Sequence, residues 1–234
     1  MRKISKKLNL NQKKLLLGML IGDGTITNHP DYKIDHSGAQ LEYLKWKIKL
    51  LDEAGIENSG LKIYKSTTGY NKGENVYRVR VKTNTTIKAL RRSIYTPKKT
   101  ITRNMLNWFT AREIAIWFMD DGSVNVNTSK QRSSIKHTIL IATCVDEKIA
   151  NIIVNYFKEV WDIQFRVFPE QGQKTLTYSI ATTSEEECRK FNNLVYPYVK
   201  EVPCLLYKLR NNFTKEEFKK LQENNPDVQD LLNL

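Results

Sequence analysis

The order of elements along this chain repeats, and the repeat constrains its fold more than any other feature. In the first half, Asn11 is placed to cap a helix that runs into LLLGMLIGDG, followed by two short extended pieces around a His29-Pro30-Asp31 turn. LEYLKWKIKLLDEAG (41–55) reads as an amphipathic helix, with Leu41, Leu44, Ile48 and Leu51 at helical spacing and Gly55 as its stop. LKIYK and VYRVRVK alternate with period two, and TIKALRRSIY (86–95) is helical again before Pro97. The second half restates that order. Thr110 and Glu113 form a capping box for REIAIWFMDDG, a strand HTILIATC follows, and DEKIANIIVNYFKEVW is an amphipathic helix. IQFRVF and TLTYSIA alternate, and Ser184 with Glu187 opens a last helix before VPCLLYKL. This predicts an α+β chain made by tandem duplication of roughly 90–100 residues. The expected divisions are an N-terminal repeat over 1–95, a linker over 96–110, a C-terminal repeat over 111–212 and a tail over 213–234.

Each repeat opens on an apolar helix that finishes in Asp-Gly, LLGMLIGDG (16–24) and IAIWFMDDG (114–122). A helix that is apolar all round must be buried. Gly18 and Gly22 strip one face of side chains, so the expected partner is the equivalent helix of the other half. Packed side by side in parallel, the two helices would bring Asp23 and Asp121 together. Two carboxylates at helix C-termini repel each other and oppose the helix dipoles, and oxygen-bound divalent metal would offset this. Either Asp-Gly alone is most simply a helix stop. The pair, at equivalent places in a duplicated basic chain, favours chemistry.

The chain carries 38 Lys+Arg against 25 Asp+Glu in 234 residues, a net charge of +13, which points to a polyanionic partner. The apolar run Leu15 to Ile21 is too short for a membrane span and lacks the small-residue cleavage site of a secretory signal, so a soluble, intracellular protein is expected. That means the cytoplasm of a bacterium or phage host, or an organellar matrix. Three scattered cysteines and three histidines show no zinc-ligand spacing.

LIGDG and MDDG after their apolar runs resemble the motif that names the LAGLIDADG homing endonucleases, and the element order resembles that family's αββαββα repeat, present twice. The family-name motif carries an acid where this chain has Ile21 and Met119, and Gly22 in one copy faces Asp120 in the other. The resemblance implies two pseudo-symmetric repeats whose antiparallel sheets form a DNA-binding saddle, with the motif helices at the interface. It implies a monomeric, intron-encoded endonuclease that cuts both strands of a long duplex and leaves short 3′ overhangs. Asp23 and Asp121 are then the catalytic acids and hold Mg2+, for which Mn2+ would substitute. Backbone carbonyls of Gly22 and Asp120 are expected as further ligands, while the Asp120 side chain is read as a structural hydrogen-bonding group. PKKT (97–100) and YKL (207–209) end the two repeats, so Lys99 and Lys208, with Lys98 behind them, are the candidate active-site lysines.

The DNA would lie on the strand faces. Arg78, Arg80 and Lys82 share one face of their strand, opposite Tyr77, Val79 and Val81, and Lys62 and Tyr64 join them from the neighbouring strand. In the second half Gln164 and Arg166, with Thr177 and Ser179, are expected to face outward. Lys33, Asp35, Ser123, Asn125 and Lys136 could extend the surface. Two other readings of the same fold stand beside cleavage, an RNA maturase that binds intron RNA and a DNA-binding protein with no nuclease activity.

Overall fold

The computed structural model describes residues 7–27, 32–36, 40–66, 73–82, 85–95, 100–128, 135–171, 176–212, 216, 220 and 223, with backbone alone at 125–128, 135–136 and 210–212. The chain divides into two compact units, Met1–Thr96 and Pro97–Leu234. Among the described residues no helix is long and apolar enough to cross a membrane.

The first unit runs α1 (Leu10–Ile21), β1 (Thr25–Ile26), β2 (Tyr32–His36), α2 (Leu41–Glu53), β3 (Lys62–Lys65), β4 (Asn75–Val81) and α3 (Thr85–Ile94). Its antiparallel sheet has the order β1-β2-β4-β3. Period-two alternation sorts the residues. Tyr32, Ile34 and His36 of β2 are buried, as are Val79 and Val81 of β4, and Tyr43, Leu44 and Leu51 of α2 add to the same core. α1 is held by a capping box in which Asn9 accepts from Gln12 N and the Gln12 side chain accepts from Asn9 N. The cap is therefore Asn9 and not Asn11, because only Asn9 has an amide side chain three residues on to complete the reciprocal bond.

The second unit runs α4 (Arg103–Leu106), α5 (Ala111–Asp121), β5 (Gly122–Thr128), β6 (Ile135–Val145), α6 (Glu147–Trp161), β7 (Phe165–Gln171), β8 (Leu176–Thr182), α7 (Glu185–Val199) and a 3-10 segment over Pro203–Asn212. Its sheet has the matching order β5-β6-β8-β7. The fold is thus two four-stranded antiparallel sheets of equal topology, each fed by an αββαββα succession. An aromatic cluster centres this core. Phe157 lies 4.7 Å from Phe165 and 6.0 Å from Phe191 by ring centroid, and Phe118 meets Phe191 edge-on at 5.2 Å. Each ring fully buried contributes about 1.5–3 kcal/mol.

Local signals are kept in altered form. The Glu113 carboxylate accepts from Thr110 N, as the capping box predicts, and it also pairs with Arg112. Ser184 accepts from Glu187 N, but the Glu187 carboxylate turns instead to Gln164 N at 2.6 Å. Residues 100–110, read as linker, carry helix α4 and bury Ile101, Leu106 and Phe109.

Candidate active-site residues and sheet faces

Every residue from Leu15 to Ile21 is buried, so α1 delivers its C-terminal end as a fixed point in the core. The chain leaves through Gly22, Asp23 and Gly24 before β1 begins. Gly24 N donates to the Met19 carbonyl at 2.8 Å, and a β-carbon at Gly24 would stand 2.5 Å from that same oxygen. Only glycine can fold back this tightly, and the fold-back leaves the Asp23 side chain at the rim, 38% exposed.

α5 ends differently. It stays helical through Asp121, and Gly122 caps it by donating to the Phe118 carbonyl and at once starts β5. A β-carbon on Gly122 would lie 2.5 Å from the Phe118 carbonyl oxygen. The Asp120 and Asp121 side chains are half-buried. Lys208, from the 3-10 segment, is only 6% exposed and aims its ammonium at the end of this helix. Its Nζ donates to the Met119 carbonyl at 2.6 Å and to those of Asp120 and Phe118 at 3.3 and 3.5 Å. A cation here meets both the orphan carbonyls and the negative pole of α5. The Asp120 carbonyl, expected as a metal ligand, is thus also an acceptor for this ammonium. Lys98 and Lys99 lie outside the described residues.

The first unit also holds a buried polar cluster around His36. His36 closes β2 with its side chain 1% exposed, and its Nδ1 stands 3.7 Å from Asp23 Oδ2. The same Nδ1 is 2.7 Å from Gln40 Oε1, and Nε2 is 3.0 Å from Nζ of Lys47, a lysine with no exposure at all. The Lys47 ammonium also sits 4.3 Å from the centroid of the Tyr43 ring. The signal was present in the pattern. His36 is in phase with Tyr32 and Ile34, and Lys47 falls at helical spacing from Leu44 and Leu51, so polar groups occupy core positions on two adjoining elements.

The strand registers define one outer face per sheet. In the first, Lys33 pairs Arg80, Asp35 pairs Arg78, and Arg78 pairs Lys62, with Tyr64 next along β3. Arg80 and Lys62 are exposed. Arg78 is held by Asp35 through two bonds, Nε to Oδ1 at 2.5 Å and Nη2 to Oδ2 at 2.7 Å, and it stacks 4.6 Å over the Tyr64 ring. Lys82 follows the end of β4 and pairs with Glu57. In the second sheet the register pairs Ser123 with Leu140, Asn125 with Thr138 and Asn127 with Lys136. Gln164 and Arg166 are exposed and Thr177 is half-exposed. Ser179 departs from expectation. The register sets it on the face of Thr177, opposite Phe168, yet it is fully buried. β8 is an interior strand, and a small hydroxyl between larger neighbours is covered; period two assigns a face but not a depth.

The profile of the LAGLIDADG DNA endonuclease family matches residues 13–191. Among curated proteins, Protein RecA of Mycobacterium shimoidei is 28% identical over 223 residues, covering 88% of this chain and 48% of that protein. Protein RecA of Mycolicibacterium flavescens is 27% identical over 221 residues with the same two coverages. The chain spans about half the length of these curated relatives. Among solved structures, the homing endonuclease I-WcaI bound to its DNA recognition sequence superposes with a TM-score of 0.68 at 20% identity, covering 87% of this chain and 88% of that one, which shows a shared fold. With both motif helices and the duplicated sheet inside the matched region, the chain belongs to the LAGLIDADG DNA endonuclease family.

Proposed function

We propose that this protein is a site-specific homing endonuclease, encoded within an intron, that makes a double-strand break in a long DNA target by Mg2+-dependent hydrolysis and leaves short 3′ overhangs. The observation that carries the reading is the repeated placement of a carboxylate at the end of a buried helix, Asp23 after α1 and Asp121 at the end of α5, in units whose sheets present basic and polar outer faces. I-WcaI, with the same fold, is seen on its DNA recognition sequence. Both repeats lie in one chain, so a monomer would carry one acid for each DNA strand.

The donor set suits a hard divalent cation. Asp23 offers a partly exposed carboxylate, and Asp121 a half-buried one. Bound there, Mg2+ supplies Lewis-acid activation of water and charge neutralisation at the leaving 3′ oxygen. The chain's own groups do the rest. Lys208 holds the last turn of α5 in place, and Lys99 is proposed for the corresponding position in the first repeat. Arg80, Lys62, Tyr64, Lys82 and Lys33 on one sheet would grip and read the major groove. Gln164, Arg166, Thr177, Ser123, Asn125 and Lys136 would do so on the other, while Arg78 acts through its fixed pair with Asp35.

The test uses plasmid carrying the uninterrupted junction of the host gene. Double-strand cleavage is expected with Mg2+ or Mn2+ and not with EDTA. Asp23→Asn and Asp121→Asn should each abolish the double-strand break and leave DNA binding intact. Wild-type protein that binds the junction and never cuts it would overturn the reading in favour of a binding-only member of the family.

A further inference from the structure

We infer that Lys47, His36 and Gln40 form a buried positioning device for Asp23, in which Lys47 sets the tautomer of His36 and so presents an Nδ1–H toward the Asp23 carboxylate. The inference rests on the nuclease reading of Asp23 and adds residues to it.

The argument is one of donor and acceptor bookkeeping. An ammonium has three donors and no acceptor. With Lys47 Nζ 3.0 Å from His36 Nε2, that ring nitrogen accepts, and the ring proton of the neutral imidazole resides on Nδ1. Nδ1 then donates, and the atom 2.7 Å away is the Gln40 side-chain oxygen, an acceptor. The same Nδ1–H is 3.7 Å from Asp23 Oδ2, beyond hydrogen-bond length but close enough for its dipole to act on the carboxylate. With Nε2 toward Lys47 and Nδ1 toward Gln40, His36 is assigned to act on Asp23 through the ring dipole. Burial makes the arrangement stiff. His36 stacks at 5.1 Å on Tyr43, over which Lys47 also lies, and water has little access to scramble the tautomer. A buried lysine with an imidazole acceptor is costly to keep in a core that leucine would fill more cheaply, and orienting His36 is what it achieves.

Two measurements test this. In metal-free, 15N-labelled wild-type protein, long-range proton–nitrogen correlations of the His36 ring should show a protonated Nδ1 and an unprotonated Nε2. The opposite tautomer, or rapid exchange between the two, overturns the proposal without any variant being made. Strand-resolved cleavage of the target plasmid then reads the consequence. His36→Leu should slow one strand at least tenfold relative to the other, so that circles nicked in a single strand accumulate, with KM for DNA unchanged. His36→Asn, which keeps an N–H near the Nδ1 position, should recover most of that rate. Gln40→Leu serves as the second variant should His36→Leu fail to fold, and the same strand bias is expected of it. Equal slowing of both strands, or no slowing, overturns the proposal. A wild-type protein that cuts neither strand overturns the nuclease reading instead, and the tautomer measurement still judges the Lys47–His36 pair.

Discussion

The ends of α1 and α5 carry the same two letters, Asp-Gly, and resolve them in different ways. After Ile21 the first repeat takes three residues to turn before β1, and the buried Lys47 lies beside the imidazole that stands next to Asp23. The second repeat stays helical through Asp121 and has a lysine placed directly on its terminal carbonyls. Both copies carry the glycine where a β-carbon would stand 2.5 Å from a main-chain oxygen of the preceding helix. They do not share what satisfies the polar groups around it. What the two repeats share is a backbone constraint, and what they differ in is the side-chain environment of the acid.

The sharpest way to break this comparison is to exchange each buried lysine for an apolar residue of similar length. Lys208→Met removes the buried donor to the Met119 carbonyl and the charge at the end of α5, and should destabilise the protein by about 3 kcal/mol, read as a lower midpoint in urea unfolding. Lys47→Met, which removes a charge from a site beside the His36 ring nitrogen and the Tyr43 ring and keeps the apolar stem, should cost less than about 1.5 kcal/mol by the same measurement. Equal losses would mean that both lysines are structural caps. Next come the glycines. Gly24→Ala and Gly122→Ala each force a β-carbon against main-chain oxygen and should cost about 2 kcal/mol, lowering the thermal midpoint in both cases. A harmless Gly24→Ala would show that the longer first turn can relax where the second cannot. At the helix starts, Asn9→Ala and Thr110→Ala should each cost about 1 kcal/mol, measured by chemical denaturation. The smallest effect separates neighbouring arginines. Arg80→Ala should lower the slope of log affinity against log salt by about 1, whereas Arg78→Ala, already neutralised by Asp35, should change that slope less.

Much of the architecture is visible in the residues themselves. Apolar runs ending in Asp-Gly mark the motif helices, and alternation marks the strand faces. The hidden parts are those where two distant segments decide together. Asn9 and Asn11 look alike as caps until the residue three places on is considered. Ile48 suits the inner stripe of α2 as well as Lys47 does, and it is the pairing of α2 with β2 that puts a lysine inside and leaves Ile48 half-exposed. Alternation places Ser179 with Thr177 and predicts an outward hydroxyl, but Ser179 is fully buried because its covering depends on neighbours contributed by other strands. The candidate site was legible to the same degree. The two acids and Lys208 declare themselves by position in the repeat, while His36 and Gln40 gain meaning only once the sheet is folded.

The direct passage from α5 into β5 has a mechanical consequence. Each residue contributes two soft torsions, and between Asp121 and the first strand residue of its repeat there is none to spare. Strand and acid therefore move as one lever, so a tilt imposed on β5 from outside is delivered undamped to Asp121. In the other repeat Gly22, Asp23 and Gly24 stand between helix and strand, so Asp23 belongs to neither element and a tilt of β1 is passed on through three residues.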